Sequence, residues 1–92
     1  MIKSFRHDGL ERFFRTGSKA GIQPKHAKRL GLQLRQLDFA IRAGDMDQPG
    51  WGCHPLTGEF TGRWAVRVDE NFRLTFRFDG VHAYEVDYED YH

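Results

Sequence analysis

A single cysteine, Cys53, is all the thiol this 92-residue chain has. One thiol closes no internal disulfide, so packing and hydrogen bonds must hold the fold, and a reducing cytoplasm is the expected setting. A free thiol usually packs as a small hydrophobe, and Cys53 is read that way. No apolar run approaches the roughly 18 residues of a membrane helix, and no signal-peptide pattern is found, so no membrane partner is expected. "GSKAG" (Gly17–Gly21) lacks the longer pattern of a phosphate loop. "DMD" (Asp45–Asp47) lacks the spacing of a calcium loop. Cys53-His54 has no partner pair for zinc. No metal and no other cofactor is expected.

Net charge is also scarce, at +1, but it is unevenly laid out. Residues 1–43 hold ten Lys and Arg against three acids, and residues 44–92 hold four Arg against ten acids. A solvated helical surface would account for the basic half, and so would a polyanionic partner. The length suits one domain over residues 1–92, with room for one core and one shallow site.

Local pattern divides the chain in two. "MIKSF" alternates and reads as a first strand. "HDGLERFFRTG" reads as a helix with Asp8 as N-cap, Leu10, Phe13 and Phe14 on one face, and Gly17 as the stop. Pro24 suits the first turn of a second helix. Ala27, Leu30, Leu34, Leu37 and Ile41 then form one apolar stripe, and Gly44 marks the end. After a Gly- and Pro-rich stretch, a short strand is expected around Trp51 to Leu56. The period then becomes two. Trp64, Val66 and Val68 alternate with Arg63, Ala65 and Arg67, and Phe72, Leu74, Phe76 and Phe78 alternate with Arg73, Thr75 and Arg77. Asp69–Asn71 and Asp79-Gly80 are turn signals, and "VHAYEVDYEDYH" is the last strand.

The implied class is α+β: an N-terminal strand, two helices, then an antiparallel sheet with both helices packed on one face. Arg67, Arg73 and Arg77 share the other face. Tyr84, Val86 and Tyr88 read as core-facing, and strict alternation would put Asp90 and His92 with them. A bulge near Tyr88–Asp90 would turn that end toward the arginines. His7, His26 and His82 read as surface residues.

Six segments in order carry a family likeness: "IKSF", "RFFRTG", "HPLTG", "GRWAVRV", "NFRLTFRF" and "VDYEDYH". On these the chain resembles the HigB-type toxins of the RelE/ParE superfamily, from bacterial type II toxin–antitoxin pairs. The resemblance implies a RelE-like fold and a ribosome-dependent endoribonuclease that cuts messenger RNA in the A site. It also implies a cognate helix-turn-helix antitoxin of the HigA type, with operator DNA contacted only through that antitoxin. The positions matching the family's active residues are His54, Arg73, Asp90, Tyr91 and His92. Where the family commonly has Lys, this chain has Thr57, which removes a cation from the expected phosphate pocket.

Those residue types suit the chemistry. RNA carries its own nucleophile, the ribose 2′-OH, so cleavage needs a base, a cation for the phosphate and an acid for the leaving oxygen. His54 and His92 could divide the proton work, Asp90 could support His92, and Tyr91 could stack on a base or donate to a phosphate. Arg73 offers a fixed fork for the phosphate. A cross-strand pairing of Arg73 with Glu85 or Asp87 is the structural alternative. Two other functional classes share the fold. ParE-like relatives bind gyrase without cutting RNA, and a worn-down toxin would survive as an antitoxin-binding or regulatory module.

Overall fold

The switch of hydrophobic period from helical to alternating sets which side of the molecule is closed and which is open. A computed structural model describes residues 1–91, and His92 lies outside the described residues. Helix α1 spans Asp8–Thr16 and α2 spans Ala27–Phe39. Four strands follow, β1 (His54–Pro55), β2 (Trp64–Arg67), β3 (Phe72–Asp79) and β4 (His82–Asp90), paired antiparallel in the order β1-β2-β3-β4. Leu10 of α1 and Leu30, Leu34 and Leu37 of α2 share one buried cluster with Val66, Leu74, Phe76, Val86 and Tyr88 of the sheet. Both helices therefore cover one side, as the stripe and the alternation require. Among the described residues, no helix is long and apolar enough to cross a membrane.

Several local expectations change on contact with the tertiary structure. His7, rather than Asp8, caps α1, because its Nδ1 accepts the Leu10 amide at 2.9 Å. Helix α2 stops at Phe39, well before Gly44. Asp45 takes the Ile41 amide at 3.0 Å, outside any helical ladder, and Ala40 is already extended. Ile41 is consequently 61% exposed instead of continuing the stripe. The first residues form two isolated parallel bridges to β4, Ile2 with Ala83 and Phe5 with Val86, rather than a continuous strand.

The last strand carries the expected irregularity at a different place. The β3–β4 register breaks between Thr75 and Arg77, where Glu85 and Val86 oppose the single residue Phe76. Glu85 adopts a left-handed φ of 52°, the price in strain of a bulge at a non-glycine residue. The Ser4 hydroxyl accepts the Glu85 amide at 2.8 Å. The bulge reverses the facing of β4, so Tyr84 lies opposite Arg77 on the open side while Ala83, Val86 and Tyr88 are buried. From Asp87 to Asp90 the register runs unbroken. The expected bulge at Tyr88–Asp90 is thus absent. Register places Asp90 opposite Phe72, on the helix-side phase of the strand rather than the phase of Arg73.

Candidate active site on the open sheet face

Residues directly opposed in an antiparallel sheet share a face, and the register therefore lays out the open side in rows. One row crosses all four strands: His54, Ala65, Thr75 and Asp87. The next row toward the chain end is Arg67, Arg73 and Glu89. With strands about 4.8 Å apart and about 6.8 Å per residue pair along them, the Cα atoms of His54 and Arg73 lie about 12 Å apart. That gap is within reach of an extended arginine and an imidazole converging on one nucleotide.

His54 is exposed on the short edge strand, and its Nδ1 is 2.8 Å from the Gly52 carbonyl. A carbonyl only accepts, so Nδ1 donates, and in the neutral ring Nε2 is the nitrogen with the lone pair. Arg73 is mostly buried, and its Nε donates to Glu89 Oε1 at 3.0 Å. The cross-strand acid is therefore Glu89, not Glu85 or Asp87. Tyr91 reaches the same place because its amide donates to the Asn71 carbonyl at 2.9 Å. Its ring lies under the Arg73 guanidinium at 5.1 Å and remains 42% exposed. Arg67 is exposed beside Arg73. Thr57 is exposed just after β1, where its carbonyl accepts the Phe60 amide.

The structure thus brings His54, Arg67, Arg73, Arg77 and Tyr91 to one face. Asp90 has the opposite strand phase, and His92 falls outside the described residues. Among the described residues, no group of three His, Cys, Asp or Glu side chains is placed to hold a metal ion.

Sequence reasoning missed two networks. On the open face, Glu85 gathers Arg77 at 3.3 Å, Arg6 at 3.2 Å and Arg63 at 3.6 Å. The hydrogen bond from Arg77 and the surrounding guanidinium charges hold the Glu85 carboxyl below its ordinary range, against its partial desolvation. On the helix side, His26 is 3% exposed, not a surface residue. Its Nε2 meets Asp69 Oδ2 at 2.6 Å and its Nδ1 meets the Tyr88 hydroxyl at 2.6 Å. The Asp69 carboxylate can only accept, so Nε2 carries a proton. The hydrogen bond from His26, with the Asn71 and Phe72 amides, pulls the Asp69 carboxyl down to about 2. Burial pushes the Tyr88 phenol up. The one available signal was "VDENF", where Asp69 opens a side-chain-capped turn.

Over residues 3–92 the chain matches the family described as HigB-like toxin, the RelE-like toxin of the type II toxin–antitoxin system HigB. The chain belongs to the HigB-like toxin family. It is 38% identical over 92 residues to the endoribonuclease HigB of Proteus vulgaris, covering the whole of both chains. Its fold is similar to that of YafQ from Escherichia coli strain BL21(DE3), with a TM-score of 0.50 at 11% identity, over 94% of this chain and 91% of that one. A HigB-like toxin of a type II pair implies an antitoxin partner.

Proposed function

We propose that this HigB-like toxin is an endoribonuclease that cuts messenger RNA in the ribosomal A site by metal-independent acid/base chemistry. The observation that carries the reading is that His54, Arg73 and Tyr91 stand on one open face, with the Arg73 guanidinium over the Tyr91 ring. His54 Nε2 has the lone pair to take the 2′-OH proton. The 2′-oxygen then bonds to phosphorus as the P–O5′ bond breaks, and the departing 5′-oxygen receives a proton. If His54 is instead protonated, it supplies the proton to the 5′-oxygen; in either case His92 is its complement, with Asp90 as support for His92. Arg73 has its Nε tied to Glu89, which aims the two terminal nitrogens at the phosphate as its charge grows. Tyr91 stacks on a neighbouring base, and Arg67 and Arg77 hold the flanking backbone.

On this reading the toxin works in the cytoplasm on ribosome-held messenger. A HigA-type helix-turn-helix antitoxin neutralises it, and operator DNA is reached only through that antitoxin. Thr57 favours a second reading, a toxin of reduced catalytic strength acting chiefly through its antitoxin, since a neutral side chain stands exposed beside β1. Gyrase binding has no comparable support. Primer extension on messenger from a translation extract separates these: wild type should produce discrete cuts, and His92→Gln and His54→Ala should not. Growth arrest without RNA cuts would point to the gyrase reading.

A further inference from the structure

Four residues along β3 from Arg73, about 13 Å away, the open face deepens into a cleft of about 520 Å³ whose lining includes Arg6, Phe60, Arg63, Arg77, Glu59 and Glu85. Its floor is unusual for a surface. Arg63 is 7% exposed, and its Nη2 donates to the Thr75 hydroxyl at 2.7 Å and the Glu85 carbonyl at 2.8 Å. Its Nη1 is buried with no hydrogen-bond partner, the nearest Glu85 oxygen standing at 3.6 Å. An unpaired nitrogen on a buried guanidinium is costly and calls for an acceptor. The Glu85 carboxylate sits among three arginines and is itself 38% exposed at the side chain. A carboxylate has two oxygens and is tethered to a strained backbone position. A phosphodiester carries the same single negative charge but is bulkier and untethered.

We infer that this cleft is a second phosphate subsite for single-stranded RNA, in which a backbone phosphate farther along the same strand displaces the Glu85 carboxylate from Arg6, Arg63 and Arg77. Glu85 acts as a built-in competitor that keeps the buried Arg63 charge balanced until RNA arrives. Two aromatic rings suit single-stranded RNA over other anions. Phe60 is 41% exposed at the rim, and Tyr84 lies 5.0 Å from the Arg77 guanidinium, so bases could stack beside the gripped phosphate. The cleft also continues the same face as the Arg67–Arg73 row, so one strand could occupy both. The choice of RNA as occupant rests on the ribonuclease reading, whereas the anion competition does not.

The test is fluorescence anisotropy with a fluorescein-labelled 2′-O-methyl hexaribonucleotide, which has no free nucleophile and needs no ribosome. Glu85→Gln should bind roughly three- to tenfold more tightly than wild type, because the competitor's charge is gone. Arg6→Gln should bind roughly three- to tenfold more weakly, and its slope of log affinity against log salt should fall by about 0.7, the loss of one phosphate contact on a single strand. Arg6 is an exposed side chain, so its variant should melt like wild type. Glu85→Gln binding no more tightly than wild type, or Arg6→Gln leaving both affinity and slope unchanged, overturns the subsite. Failure of the ribonuclease reading would instead appear as absent cuts in primer extension, with these binding differences intact.

Discussion

Two histidines on opposite sides of the sheet divide the molecule into a part that holds still and a part that can react. His26 is buried between Asp69 and Tyr88, with both ring nitrogens engaged at 2.6 Å and Phe72 packed 5.0 Å from its ring. His54 stands in solvent on an edge strand, with one nitrogen fixed and the other open. The same side chain is a structural clamp in one setting and a candidate base in the other. What differs is how many partners the tertiary structure supplies. The clamp joins three distant pieces: the turn before α2, the β2–β3 turn and the end of β4. It therefore holds the helix side of the sheet together through hydrogen bonds that do not involve Arg73, Glu89 or Tyr91.

If this division is right, the two sides should fail in different ways. The largest effect is expected at His54→Ala, which should lower messenger cleavage by roughly 10²- to 10⁴-fold, the usual worth of a positioned acid or base, with the melting temperature unchanged. Arg73→Ala should follow, at roughly 10²-fold or more in cleavage rate; a loss of melting temperature to match would instead reveal Arg73 as a mere partner of Glu89. His26→Ala should invert the pattern. It removes the His26 partner from Asp69 Oδ2 and from the Tyr88 hydroxyl and opens a cavity, so urea unfolding should show a loss of about 2–4 kcal/mol. Its residual cleavage per folded molecule should stay near wild type.

A subtler contrast lies in pH. The Asp69 carboxyl is held at about 2 chiefly by its hydrogen bond from His26, below the roughly 3.9 of a free aspartate. A lowered folded-state value adds stability above the unfolded-state value, and that stability is lost as pH falls through the window from about 4 to about 2. Acid titration of the wild type should therefore show a steeper loss of stability in that window than Asp69→Asn, which is already destabilised at neutral pH. Equal slopes would mean that the clamp contributes little to acid resistance. The smallest effect is expected at Thr57→Lys, which should raise cleavage several-fold by restoring a cation near His54.

The sequence made some of this contrast visible and concealed the rest. The alternation through Trp64–Arg67 and Phe72–Asp79 announced which face would carry Arg67, Arg73 and Arg77, because a strand's side-chain period is fixed by its backbone. The stripe of Leu30, Leu34 and Leu37 announced the buried side of α2 for the same reason. Asp79-Gly80 announced the hairpin, where Gly80 takes a φ of 62°. The bulge at Glu85 was hidden, since a bulge answers to what lies across the ladder, and strict alternation mistook Tyr84 for core. His26 was misjudged because helical phase says nothing of an aspartate 43 residues away. Asp45 likewise ended α2 through a contact that a stripe cannot reveal. Of the residues matched by family likeness, His54, Arg73 and Tyr91 share the open face, with Arg73 and Tyr91 in contact, while register sets Asp90 on the other strand phase.

The division between a reacting face and a clamping face is tested most directly by primer extension on ribosome-bound messenger, run beside thermal melting, for wild type, His54→Ala and His26→Ala. The predicted result is cleavage lost without loss of melting temperature in His54→Ala, and melting temperature lowered with cleavage retained in His26→Ala. Undiminished cuts by His54→Ala would contradict the account, because the open face of the sheet would then not be where the RNA is broken.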